Sequence, residues 1–142
     1  MGLRQRFISS FREFFLYHYT SLEFRAKILT FAISANPTYT ECSKEFLKTI
    51  SLKIYAKEPN RAEALIHTTD EYLLKLYEDN HLDSDWMLKD IIIELKRHKR
   101  YANKIDIVSL KEFENCIEDE DSKIYFERVL EFLDNLKKET LS

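Results

Sequence analysis

The sequence predicts an all-α fold, a single compact bundle of six or seven mostly antiparallel helices. Among its 142 residues the only glycine is Gly2 and the only prolines are Pro37 and Pro59. Sandwiches, barrels and phosphate-cradling α/β folds need glycine where the backbone turns left-handed or approaches a ligand closely. Ten Phe, eight Tyr and one Trp, in a chain that is 44% hydrophobic, supply a core and exclude disorder as the main state. Apolar residues also recur at spacings of three and four from end to end, the period of one helix face. The missing glycines set aside Rossmann, P-loop and nucleophile-elbow chemistry before any motif search.

The elements follow in order. Leu3, Phe7, Phe11, Phe14 and Phe15 share one stripe of a first helix, with Ile8 at its edge. A break near Thr20-Ser21 gives a cap for a second, 22–35. That helix is apolar nearly all round (Leu22, Phe24, Ala26, Ile28, Leu29, Phe31, Ala32, Ile33), the mark of a central buried element. Asn36-Pro37 ends it. A third starts near Thr38 or Thr40 with Tyr39, Cys42, Phe46, Ile50 and Ile54 inward, and Glu58-Pro59-Asn60 stops it. A fourth runs over 61–78 with Ala62, Leu65, Thr69, Leu73 and Leu76 inward. After the polar stretch 79–83, Asp83 caps a fifth carrying Trp86, Leu88, Ile91, Ile92 and Leu95. A short helix over 109–117 and a last one over 122–138, with Phe126, Val129, Leu130, Leu133 and Leu136 on one face, complete the set. Connections are short and no composition shift divides the chain, so 1–142 reads as one helical domain. Its 1–19 segment is a basic aromatic amphipathic helix, docked or free.

Residues 34–50, SANPTYTECSKEFLKTI, align without gaps to 101–117, YANKIDIVSLKEFENCI. The agreeing pairs are Ala35/Ala102, Asn36/Asn103, Lys44/Lys111, Glu45/Glu112, Phe46/Phe113 and Ile50/Ile117, and both copies read as a loop entering a helix. In each, small residues end one helix, a polar turn follows, and an acidic helix start comes next. The stretches Ile33-Ser34-Ala35-Asn36-Pro37 with Glu41 and Glu45, and Ala102-Asn103-Lys104-Ile105-Asp106 with Glu112, resemble the tellurite-resistance TerB-like family of all-helical domains. The resemblance covers about two-thirds of the chain. It implies two pseudo-repeated halves and a metal-binding or stress-response role. Asp79, Asp83 and Asp85 are the acids that role would use.

Lys and Arg total 22 against 25 Asp and Glu, a net charge of −3, which disfavours nucleic acid as the partner of the whole domain. Cys42 and Cys116 form no CxxC pair and no secretory signal precedes them, so they read as reduced, part-buried core thiols of a cytoplasmic protein. No run of about 18 apolar residues is present to span a membrane. Arg6 stands where a myristoylation signal wants Ser or Thr.

The N-terminal segment carries the richest pattern. Arg4, Arg6 and Arg12 flank Phe7, Phe11, Phe14 and Phe15. Such a helix packs on its own core, lays its stripe into a partner's groove, or lies in a lipid headgroup layer on the inner face of a membrane. Asp79, His81, Asp83 and Asp85 alternate like a calcium loop. The sixth-position glycine and the final Glu of such a loop are absent, and acids also gather where a helix begins. Lys96, Arg97, Lys99, Arg100 and Lys104 form the dense basic patch, at a helix end that favours cations for its own stability. The acidic run 118–121 could meet that patch on a second copy, giving self-association. His67 and Asp70 are spaced to orient an imidazole, without a nucleophile beside them. The expectation is a non-catalytic interaction module with no cofactor and no catalytic residue. It would bind a protein partner, or peripherally a membrane surface, through the aromatic helix face.

Overall fold

The computed structural model describes residues 20–78 and 84–142. The expected contact residues Arg4, Arg6, Phe7, Phe11, Arg12, Phe14 and Phe15, and the acids Asp79 and Asp83, lie outside the described residues. Within them the chain is all-α, with no strand. Its helices are α1 (Thr20–Ile33), α2 (Glu41–Ile54), α3 (Pro59–Glu78), α4 (Ser84–Arg97), α5 (Ile107–Lys111) and α6 (Glu120–Leu141). Two 3-10 turns, Lys99–Lys104 and Glu112–Cys116, flank α5.

The apolar run of α1 is central, as the sequence predicts. Leu22, Phe24, Ala26, Ile28, Leu29, Ala32 and Ile33 are all buried, and the helix packs on α3, α4, α6 and the first 3-10 turn. Each buried Leu, Ile or Phe contributes about 2 kcal/mol relative to exposure, which makes α1 the element the others condense on. Every other helix adds to the same core, down to Leu110 of the five-residue α5.

Three helix starts rest on side-chain caps. Thr40 accepts from the Ser43 N–H at 3.1 Å, Asp106 from Ser109 N–H at 3.2 Å and Asp119 from Ser122 N–H at 2.9 Å. Each cap satisfies a donor that the helix itself cannot, for about 1 kcal/mol. Pro59, expected as a stop, instead opens α3, two residues before the expected start. Its missing N–H falls where a helix has no acceptor anyway. The expected 109–117 helix divides into α5 and a 3-10 turn because Asp106 starts it earlier and its last turn tightens.

Two faces are rotated from expectation. In α2 the buried row is Ser43, Leu47, Ile50 and Ser51, with Phe46 and Ile54 only partly buried and Cys42 exposed. Small serines one turn either side of Leu47 let α3 come close, and that sets the rotation. In α4 the row is Met87, Ile91 and Leu95, an i, i+4, i+8 series, and it leaves Trp86 49% exposed.

The reduced-thiol expectation is overturned. Cys42 and Cys116 form a disulfide with Cα atoms 5.5 Å apart across 74 residues of sequence. It fastens the first turn of α2 to the second 3-10 turn. Phe46 and Phe113 already draw those elements together, with ring centroids at 5.1 Å. These are the matched phenylalanines of the internal echo. Its other matched apolar pairs, Ala35/Ala102 and Ile50/Ile117, are buried. The caps are not in the same register, since Asp106 aligns with Tyr39 rather than Thr40.

Candidate functional site

The central helix carries two cations in its most buried stretch, Arg25 and Lys27. At 3.6 residues per turn they stand about 200° apart and face opposite sides. Lys27 faces α4, where it pairs with Asp90, lies 3.9 Å from Glu23 and sits 5.8 Å above the Trp86 ring. That side is electrostatically closed.

Arg25 faces the other way, into a small pocket between α1, α2 and the 104–110 segment. Leu29, Ile50, Ile54 and Leu110 make its apolar lining, and Lys104, Asp106 and Ser109 make the rest. The enclosed space is about 20 Å³, room for one water-sized group, and beyond it the pocket opens to solvent. Two tyrosine rings organise the surrounding cations. The Arg25 guanidinium lies 5.6 Å and that of Arg61 5.8 Å from the Tyr55 ring centre. Arg100 lies 5.4 Å and Lys104 5.8 Å from that of Tyr101. Ring faces attract cations, which offsets part of the repulsion among them.

The charges at this end are unbalanced. Burial, then the positive charges of Arg25, Arg100 and Arg61, hold Lys104 below the usual ammonium range. No carboxylate contributes to that shift, and the Nε of Arg25 is buried without a hydrogen-bond partner. The pocket's one acid, Asp106, is already engaged. It accepts from Ser109 Oγ at 2.7 Å as well as from Ser109 N–H, and these bonds, with Lys53 and Lys137 nearby, hold its carboxyl below the usual range. Lys53 Nζ donates to Ser109 Oγ at 3.3 Å, and Lys137 Nζ to the Ile105 carbonyl at 2.8 Å. Glu58 lies 3.5 Å from Arg61. Arg25, Arg61 and Arg100 thus all act on Lys104 with the same sign, a cationic grouping on a chain of net −3.

Of the predicted basic patch, Arg100 and Lys104 converge on Tyr101 at this site. Lys96 and Arg97 at the end of α4 and Lys99 at the start of the first 3-10 turn are exposed, with Arg97 3.5 Å from Glu94. The sequence reading missed Arg25 and Arg61. The signal for Arg25 was present, since a charge inside an apolar helix must find a partner or a function. Tyr101 also ties the site to the start of the described chain, through a 2.6 Å hydrogen bond between its hydroxyl and Thr20 Oγ1.

The acidic candidates fare differently. Asp85 is exposed in the first turn of α4, and among the described residues no three His, Cys, Asp or Glu side chains are grouped to hold a metal. Asp70 accepts from the Tyr39 hydroxyl at 2.7 Å, and His67 is exposed, so the expected pairing of His67 with Asp70 gives way to a tyrosine contact. Among the described residues no helix is long and apolar enough to cross a membrane. No protein-family model matches this chain, and comparison with curated proteins and with solved structures found no match.

Proposed function

We propose that this chain is a non-catalytic helical binding module for an acidic protein partner. The supporting observation is the segregated charge around Tyr101 and Tyr55, an excess of cations on a chain that is acidic overall. A partly desolvated cluster of one sign focuses field lines and steers an oppositely charged surface into contact. Phe7, Phe11, Phe14 and Phe15, in the segment that precedes Thr20 in sequence, supply the apolar part of the contact. Arg4, Arg6 and Arg12 extend the positive charge. A cytoplasmic setting rested on reduced thiols. The Cys42–Cys116 bond removes that ground and favours oxidising surroundings.

The test is binding of a fluorescent polyglutamate peptide to the full chain at several salt concentrations. Binding should weaken as salt rises, and Arg100→Glu should reduce affinity by about tenfold, a loss of about 1.4 kcal/mol. Phe11→Asp should lower affinity while leaving the thermal melt intact. Unchanged affinity in Arg100→Glu overturns the reading. Flotation with anionic vesicles and no peptide binding would assign the surface to a membrane instead.

A further inference from the structure

We propose that the pocket between Arg25 and Lys104 is a phosphate site, and that it takes the phosphate monoester of a phosphorylated side chain on the partner. This rests on the acidic-partner reading and narrows it to one chemical group.

Four observations point to that group. First, Arg25 and Lys104 both line the pocket, with neither in an ion pair among the described residues. A buried guanidinium Nε with no acceptor is a donor awaiting one. Second, the apolar lining from Leu29, Ile50, Ile54 and Leu110 lowers the local dielectric and strengthens any charge-assisted bond made there. Third, the enclosed depth has room for a single oxygen of a ligand and opens directly to solvent, so a phosphate would set one oxygen in the depth and the others at the open mouth, whereas a ring system could not be seated. Fourth, the excess charge calls for a dianion. A carboxylate brings one negative charge, whereas a phosphate monoester brings close to two and three acceptor oxygens for a planar guanidinium and an ammonium to share.

Asp106 is the evident objection, since a carboxylate on the pocket wall repels phosphate. Its oxygens already accept from the Ser109 N–H and hydroxyl, and Lys53 and Lys137 lie beyond them. Those bonds occupy its oxygens at the start of α5, and Arg25, Lys104 and Arg100 together carry more positive charge than the one negative charge it retains. The aromatic neighbours serve the same end. Tyr55 and Tyr101 hold four like charges close together in the unliganded protein, so a phosphate meets a preformed cluster.

Isotope-labelled full-length protein should be titrated with inorganic phosphate and then with a phosphoserine peptide, at ionic strength held constant with sodium chloride. Resonances of Ile50, Ser109 and Leu110 should shift saturably with both. Lys104→Gln should weaken both by about tenfold, the loss of one charge-assisted bond, while Lys99→Gln changes them by less than about twofold. Arg25→Gln should act like Lys104→Gln. If it unfolds the bundle, Lys104→Gln, at a half-buried residue, still decides. Equal shifts from chloride, no saturation at millimolar phosphate, or unchanged affinity in Lys104→Gln overturns the proposal. Vesicles containing phosphatidic acid that bind through Lys104 while the phosphopeptide does not would overturn the assignment to a protein partner. Polyglutamate binding that persists when phosphate fails sinks the phosphate site alone. Phosphate binding without polyglutamate binding keeps this site and sinks the broader module.

Discussion

Arg25 and Lys27 stand two residues apart on the same buried helix and meet opposite surroundings. Lys27, with a side chain 10% exposed, reaches Asp90 and Glu23, and its charge is matched where it is buried. Arg25 meets Tyr55, Lys104 and the fields of Arg61 and Arg100, and among the described residues no carboxylate pairs with it. A fold seeking only stability would treat both in the first way, because a buried charge is tolerable when paired. The contrast separates a cation that holds the bundle together from one that the bundle holds ready. Function is sought on the second side.

The strongest way to break this contrast is through the Cys42–Cys116 bond. It lies on the Arg25 side, fastening α2, which supplies Ile50 and Ile54 to the pocket, to the turn that follows α5. The contact of Lys27 with α4 lies elsewhere in the bundle. Closing a loop of 74 residues restricts the unfolded chain by about 4 kcal/mol. Reduction, or the Cys42→Ser/Cys116→Ser pair, should lower unfolding free energy in urea by about that amount. Amide exchange should rise more in α2 and α5 than in α4. Uniform exchange across the bundle would mean that the bond does not set the shape of the pocket in particular.

Next in size is the direct comparison. Lys27→Ala leaves Asp90, whose side chain is 28% exposed, without its partner, and should cost about 2 kcal/mol. Arg25→Gln removes a repelled charge, and should change stability by no more than about 1 kcal/mol while weakening phosphate binding about tenfold. Equal destabilisation by the two variants, measured by urea unfolding, would reduce Arg25 to another structural cation.

The sequence made the helices legible because periodicity, caps and the scarcity of glycine act locally. Thr40 and the Met87, Ile91 and Leu95 row show both its power and its limit. Spacings of three and four predict a helix firmly, but neighbouring stripes fit nearly as well, and only the packing partner chooses between Met87 and Trp86 or between Leu47 and Cys42. The disulfide was hidden for a different reason. Its cysteines are 74 residues apart, and what brings them together is tertiary, the Phe46–Phe113 contact. Half of the basic patch was legible as a run in sequence. Arg25 and Arg61 join Arg100 and Lys104 only in space, around rings whose role nothing local announces.

The smallest effect uses tyrosines to report the two kinds of surroundings. Burial pushes the Tyr55 hydroxyl up from its usual value, but Arg25 and Arg61 oppose the rise by favouring tyrosinate. Tyr77 has no such cation. Its hydroxyl donates to the Asn36 carbonyl at 2.6 Å, and burial pushes it up to about 12. Tyr39, stacked on Tyr77 with ring centroids at 5.7 Å, is raised too, by burial and by Asp70. A raised folded-state value means that the native protein holds the proton more tightly. Its stabilisation is therefore complete below pH about 10, the unfolded value, and is lost as pH climbs toward 12. Because Tyr77 is only partly buried, the loss should be about 1 kcal/mol. Stability measured across that window should fall in the parent, and fall less in Tyr77→Phe. Ultraviolet titration of Arg25→Gln should show the tyrosinate of Tyr55 appearing at higher pH than in the parent. If Arg25→Gln leaves it unchanged, the guanidinium charge does not reach Tyr55, and the cationic side loses its defining feature.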